Sequence, residues 1–262
     1  MNITDAQLQA WIQAALFPLA RIGGLLISAP VIGDKSSPAR VRLMFALALT
    51  LIVAPLLPAT PPLAAFTAVW WLRMAQETLL GIMLGFVLKL VFEAVVLGGE
   101  LIGSSMGLGF ARMADPVRGT DAPVIGQFLH LIAMLLFLTL DGHLRLIELL
   151  ATSFQVAPDA STVIGARSFE AMANSGVTMF GAAVSLALPT MAALLLVNLA
   201  FGVMSRSAPT LNGLSVGFPL SLAAGLLLLR IDLPSLRHVF THQLDQAWSF
   251  MAGLIGVVGA AP

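Results

Sequence analysis

Gly81-Ile-Met-Leu-Gly85-Phe-Val-Leu-Lys89-Leu-Val-Phe-Glu93-Ala-Val-Val-Leu97 is the stretch on which the fold turns. It lies inside an apolar segment running from Trp70 through Gly107, longer than the ~20 residues that a ~30 Å hydrocarbon core requires of a helix. Strand alternation is not sustained along it, so it reads as helix. Gly81 and Gly85 stand four apart, a small-xxx-small spacing that lets helix backbones approach closely. Gly99, Gly103 and Gly107 continue that spacing downstream, and Gly213 and Gly217 repeat it. Lys89 and Glu93 are also four apart, so they share a helix face and can pair, which matters because an unpaired charge in lipid is expensive. Glu100 lies seven beyond Glu93, and the three together fit an ion or proton path. A structural pair, or a segment packed against protein, is the simpler reading, because a relay usually needs further carboxylates or histidines on the same face.

The rest of the chain shares this character. Of 262 residues, 58% are hydrophobic and 10% charged, with a mean hydropathy of +0.96, against roughly 25% charged residues in soluble domains. Thirteen Lys and Arg balance thirteen Asp and Glu, which argues against a nucleic-acid partner, since phosphate binding needs clustered positive charge. The absence of cysteine removes disulfides, thiolate metal sites, iron-sulfur clusters and cysteine nucleophiles together. Fifteen prolines and 23 glycines are the helix breakers that membrane proteins tolerate, because neighbouring helices satisfy the freed backbone groups.

Working outward, Thr4 and Gln7 form a capping box for a first helix to about Ala29, interrupted at Pro18 and Arg21. The start, Met1 to Asp5, lacks the basic residues of a secretory signal, so this apolar stretch is expected to be retained. Val41 to Leu57 is a second apolar run, closed by a turn at Pro55, Pro58, Pro61 and Pro62. Val124 to Leu140, Val177 to Met204 and Leu214 to Leu229 follow. The last stretch, about 235–258, places Leu236, Val239, Phe240, Leu244, Trp248, Met251 and Ile255 on one face. Arg237, His238, Thr241, Gln243, Asp245 and Ser249 lie elsewhere, which makes an amphipathic helix, packed or interfacial rather than spanning. A β-barrel would show many alternating runs of ~10 residues. The fold class expected is therefore all-α: a polytopic membrane-type protein of broken helices and helical hairpins, one domain over 1–262. Lys and Arg divide almost evenly between alternate connections, which leaves orientation open. Half-length segments and many prolines suggest that partners complete the arrangement.

Arg21, Gln127, His130 and Asn198 are single polar residues in apolar segments, each expected to make an interhelical hydrogen bond. Gly103-Ser-Ser105-Met-Gly107 matches a nucleophile-elbow pattern, but it follows no strand and has no His and Asp in the expected order. A hydrolase at Ser105, even an intramembrane one using His130, is therefore disfavoured. His143 stands alone. His238 and His242 have helix-face spacing with Asp245 near, but a solvated polar face explains them more simply than a metal. No cofactor, metal or catalytic residue is expected.

Met106-Gly-Leu108-Gly-Phe110-Ala-Arg-Met113-Ala-Asp115-Pro116 is unlike a plain connector. Large flexible apolar side chains on a glycine-permitted backbone can fill an irregular opening and re-pack when something passes, which suits a plug. A buried helix-breaking turn fits the composition as well.

Gly98-Gly-Glu100-Leu-Ile-Gly-Ser-Ser-Met-Gly-Leu-Gly-Phe110, then Asp115-Pro116, then Leu135-Leu-Phe-Leu-Thr-Leu-Asp-Gly-His143-Leu resembles the FliR family, the R subunit of the flagellar type III export gate. The resemblance extends from Arg21–Pro30, Pro38-Ala-Arg40-Val-Arg42 and Ala54-Pro55-Leu-Leu-Pro58 to Ala187-Leu-Pro189, Asn198-Leu-Ala-Phe-Gly202, Arg206-Ser-Ala-Pro209 and Leu211–Leu220. It implies a bacterial inner-membrane protein of the flagellar basal body that joins P and Q subunits in a helical pore through which unfolded flagellar subunits pass. It further implies the export switch protein and the cytoplasmic-ring protein as partners, with membrane lipid around the assembly and no nucleic acid. The family's pore-blocking loop corresponds to about 106–122, with Met106, Leu108, Phe110, Met113, Asp115 and Pro116 its gating residues and Phe110 and Met113 the best stoppers. Lys89, Glu93 and Glu100 would be buried pairing or subunit-contact residues. The injectisome version of the gate is the nearest alternative. A small-molecule secondary transporter is a more distant one, lacking the internal repeat such proteins show.

Overall fold

Long runs of Leu, Ala and Met favour helix over other structure. The computed structural model describes residues 4–30, 38–57, 63–109, 124–207 and 217–256, and among them it contains seven α-helices and no strand. In chain order these are α1 (Asp5–Ser28), α2 (Ala39–Val53), α3 (Ala68–Ser105), α4 (Val124–Thr139), α5 (Gly142–Val156), α6 (Ala166–Ser207) and α7 (Phe218–Leu254). Four stretches are long and apolar enough to cross a membrane: Gln9–Ser28, Ala68–Ser105, Ala166–Arg206 and Phe218–Leu254. The pair α4 and α5, bent by 65°, is a broken fifth. The protein is an all-α polytopic membrane protein.

The capping box at the start of α1 is present: Gln7 N–H donates to Thr4 Oγ1 at 3.4 Å and Thr4 N–H to Gln7 Oε1 at 3.1 Å. Two expected breaks are absent, the one at Pro18 and the one between Leu229 and about 235. Pro18 lies inside α1, Pro189 inside α6 and Pro234 inside α7. A proline removes one N–H and frees one carbonyl, a cost that neighbouring helices and hydroxyl side chains can absorb. As a result, the two segments expected at Leu214–Leu229 and 235–258 join in one helix. α6 begins at Ala166, eleven residues before the apolar run that marks it, because its first turns are polar. Helix α5 was not expected at all. Its apolar positions Leu146, Leu150 and Phe154 recur at helical spacing and are buried, while Arg145 and Glu148 on other faces are exposed. Asp141, in left-handed conformation with φ 55°, makes the corner that precedes it.

The chain gathers into two units, one from the described residues of Met1–Leu90, Phe137–Gly176 and Leu244–Pro262, the other from those of Val91–Leu136 and Val177–Gln243. In the first, α1 and α3 touch through glycines. A Cβ at Gly81 would lie 2.0 Å from the Arg21 carbonyl oxygen, one at Gly24 2.2 Å from the Thr78 carbonyl oxygen and one at Gly85 2.1 Å from Ser28 Oγ. No side chain fits there, and Ser28 Oγ donates across the contact to the Ile82 carbonyl at 3.1 Å. In the second unit, α3 and α4 meet where a Cβ at Gly99 would lie 2.6 Å from Gly126 Cα.

Candidate functional site

The segment singled out for gating leaves α3 through a Schellman turn. Gly107 N–H donates to Ser104 O at 3.0 Å and Leu108 N–H to Gly103 O at 3.1 Å, with Gly107 at φ 85°. This is the paired closure that left-handed glycine permits after a helix. A Cβ at Gly103 would sit 3.7 Å from Leu108 Cδ1 and 3.5 Å from Ile125 Cγ1, ordinary contacts. Met106 is fully buried and seated against α7, where a Cβ on Gly225 would come within 2.5 Å of its Cγ and Cε. Asn198 of α6 donates its Nδ2 to the Ser105 carbonyl at 3.4 Å. Phe110, Met113, Asp115 and Pro116 lie outside the described residues.

Lys89 and Glu93 are both exposed on α3, and Glu100 is half-buried. Ser105 Oγ donates to the Leu101 carbonyl of its own helix at 2.9 Å, which is how a helical serine hides its hydroxyl rather than how a nucleophile is presented. His238 and His242 are exposed. Among the described residues, no three His, Cys, Asp or Glu side chains are grouped to hold a metal. His130 stands edge-on to Phe92 at 5.7 Å, and Gln127 is exposed.

The strongest polar site is one that the sequence reading named only by half. Arg21 is 0% exposed, with Nη2 2.6 Å from Glu77 Oε2 and Nε donating to the same oxygen at 2.7 Å. Nη1 donates to Ser153 O at 2.9 Å and Ser153 Oγ at 3.1 Å, and Nη2 to Ala157 O at 2.9 Å. The guanidinium also lies over the Phe154 ring at 4.3 Å. Glu77 Oε1 accepts from Arg73 Nε at 2.9 Å and Ala160 N–H at 3.2 Å. Arg73 pairs in turn with Asp159 and donates to the Pro158 carbonyl. Two positive and two negative groups cancel, and the donors of Arg21 are all engaged, which is what a buried arginine requires. Although burial pushes the Asp159 carboxyl up, the Ser161 hydrogen bonds and then the charges of Arg73 and Arg21 outweigh it and hold its pKa below the ordinary value. The cluster borders a cleft of about 280 Å³ walled by Trp11, Phe17 and Phe154. With its polar groups committed to one another, it ties α1, α3, the end of α5 and the segment after it together. A signal was there to be read: an arginine in an apolar helix demands a carboxylate, and Glu77 stands near the start of the next long one.

A second such knot joins α6 to α7. Thr190 Oγ1 donates to Asp232 Oδ2 at 3.0 Å and Ser235 Oγ to Asp232 Oδ1 at 2.6 Å. Each hydroxyl belongs to the residue that follows an in-helix proline, Pro189 and Pro234, so one carboxylate gathers both prolines' neighbours.

The isolated chain exposes much apolar surface. Val124, Phe128, Leu131 and Leu135 form an exposed stripe along α4, and Val177, Phe180, Val184 and Leu188 another along α6. Faces of this extent mark contact with lipid or protein.

Residues 12–247 match the family model described as bacterial export proteins, family 1. The chain is 38% identical over 203 residues to flagellar biosynthetic protein FliR of Escherichia coli K12, covering 77% of each chain. It is 41% identical over 193 residues to the protein of that name from Pectobacterium carotovorum, covering 73% of each. With its counterpart in Bacillus subtilis it shares 31% identity over 192 residues, 72% of this chain and 74% of that one.

Proposed function

The chain belongs to the bacterial export proteins, family 1, alongside proteins named FliR, and from this premise we propose that it is the R subunit of a flagellar export gate. It is a structural component of export, not an enzyme. With P and Q subunits it forms the pore through which unfolded flagellar proteins cross the bacterial inner membrane at the basal body, as a single domain. The export switch protein and cytoplasmic-ring protein are its further partners. The loop at about 106–122 closes the pore: Phe110 and Met113 block small solutes, and an arriving polypeptide displaces them. The observation that carries this reading is the match over residues 12–247 to an export family.

Exposure on α3 supports the assembly. Lys89 and Glu93 stand uncovered on a helix long and apolar enough to span a membrane. A charge cannot remain against hydrocarbon without a cost of several kcal/mol, so another subunit covers this face and buries Lys89, Glu93 and Glu100 at the contact. Gly81, Gly85 and Gly99 serve packing within the chain.

Two measurements test the proposal. Extraction of the tagged protein from its native host in mild detergent should recover a large complex containing P-type and Q-type subunits. A stable, partner-free monomer would overturn it. In membranes holding the assembled complex, Phe110→Ala with Met113→Ala should raise ion leakage without loss of assembly, and unchanged conductance would remove the plug.

A further inference from the structure

Helices α1 and α3 run parallel. Arg21 approaches Gly81, Gly24 approaches Thr78 and Ile82, and Ser28 approaches Gly85, so residue numbers rise together along both. Carried back toward the helix starts, this register brings Trp11 level with the beginning of α3. There Leu63 N–H donates to Gln13 Oε1 at 2.9 Å and Phe17 meets Trp70 at 5.9 Å. Three of the chain's four tryptophans, Trp11, Trp70 and Trp71, thus gather at one end of the pair. Trp70 is buried, with Phe66 and Trp71 packed on it, whereas Phe66, Trp71 and Trp11 are each more than half exposed. Exposed indoles at one end of spanning helices mark a membrane–water boundary, where an apolar ring with one polar N–H is best placed. The cleft walled by Trp11, Phe17 and Phe154 lies at this level, with Arg73 and Glu77 on its polar side. Arg21 and Glu77 are sealed in, so what the charged cluster turns outward is Arg73, 13% exposed, and Asp159, 40% exposed. Glu77, Pro158 and Asp159 take three of the five N–H donors of Arg73 and leave the others.

We propose that this cleft seats the end of one acyl chain of a zwitterionic phospholipid, whose headgroup lies across Arg73 and Asp159. The volume of about 280 Å³ falls at the small end of the roughly 300–1,000 Å³ usual for small-molecule sites. It admits part of one chain and leaves the other in the bilayer. The headgroup follows from charge complementarity: phosphate accepts from the remaining Arg73 donors, and the ammonium faces the Asp159 carboxylate. An anionic headgroup would satisfy Arg73 but meet Asp159 with like charge, which is unfavourable. The site is independent of the export role, since it needs only that α1 and α3 end at a membrane surface.

The test uses the protein extracted with whatever it assembles with and reconstituted into vesicles of phosphatidylethanolamine and phosphatidylglycerol. A small fraction of the phosphatidylethanolamine carries a diazirine at the end of one acyl chain. After irradiation, peptides holding residues 10–18, 54–57 and Phe154 should carry several times the label found on the exposed apolar stripes of α4 and α6. Ala14→Phe adds a ring to the cleft from an exposed position; it should lower the cleft label severalfold while the stripes keep theirs. Moving the diazirine to phosphatidylglycerol should label the cleft several times less, and equal labelling by the two lipids would overturn the headgroup assignment. Label spread evenly over cleft and stripes, or unaffected by Ala14→Phe, would mean unspecific surrounding lipid and overturn the site. Label present in the cleft of the separated chain but absent in the complex would mean that another subunit fills it, which overturns the proposal equally. Should Ala14→Phe not be recovered, the wild-type map decides on the same terms.

Discussion

Arg21 keeps its charge inside an apolar helix because Glu77, Ser153 and Ala157 occupy its donors. Removing Glu77 leaves the guanidinium buried without its carboxylate, so Glu77→Ala should destabilise the protein by about 3–5 kcal/mol, whereas Arg21→Ala leaves Glu77 paired with Arg73 and should cost less. Replacing both together, Arg21→Met with Glu77→Leu, should cost far less, as thermal unfolding in detergent would reveal. Asp159 gives the cluster a pH dependence. Its carboxyl has a lowered pKa in the folded protein, so the unfolded chain takes up the proton first. Its contribution is complete above the ordinary value of 3.8 and is lost as pH falls through the lowered one. The stability difference between wild type and Asp159→Asn should therefore shrink as acid is added below that value; a difference constant down to pH 2 would contradict it. At this scale the sequence announced a need without its answer. Arg21 was visibly a group wanting a partner, yet the partner stands 56 residues away, and the carbonyls of Ser153 and Ala157 carry no side-chain signature.

Helices meet here at glycines, and only some glycines count. Gly81→Ala drives a methyl into the Arg21 carbonyl and must push α1 from α3, an overpacking cost of about 1–3 kcal/mol. By contrast, Gly23, next in the chain to the contact residue Gly24, has nothing within 4 Å of an added Cβ. Gly23→Ala should thus be neutral or stabilising by about 0.5–1 kcal/mol, through the helix propensity gained. The same unfolding measurement ranks the two, and equal effects would refute the close approach. At the α6–α7 knot, Asp232→Leu strips the buried Thr190 hydroxyl of this acceptor, a loss of about 1–3 kcal/mol, whereas Asp232→Asn retains an acceptor and should lose less. Element by element, α3 was legible almost to its ends, because an unbroken apolar run leaves no other reading. Pro234 misled: it lies in the gap expected between two helices, yet one helix runs through it, and the hydroxyls beside it and beside Pro189 converge on Asp232. Helix α5 was invisible to a search for long apolar runs, being short, amphipathic and charged on its open side.

The whole molecule carries more apolar surface than a solitary soluble protein would, and charges on a spanning helix that lipid would not accept. Both features make the isolated chain an incomplete object, legible in the sequence as half-length segments and absent charge bias. What covers each face is a property of the assembly and has no local signature in the chain. Synthesis imposes one more consequence on the buried arginine. Arg21 leaves the ribosome 56 residues before Glu77 and 132 before Ser153; at ~5–20 residues per second, the latter delay is on the order of ten seconds. Until Glu77 follows, 56 residues later, the first helix holds a guanidinium with no counter-charge, so settling alone in hydrocarbon is costly and it is expected to wait beside the insertion machinery for α3. A nascent chain stopped before Glu77 should therefore remain extractable by alkali or be degraded, and Arg21→Leu should let that same truncated chain integrate. The ion pair that stabilises the finished protein thus sets the order in which its helices enter the bilayer.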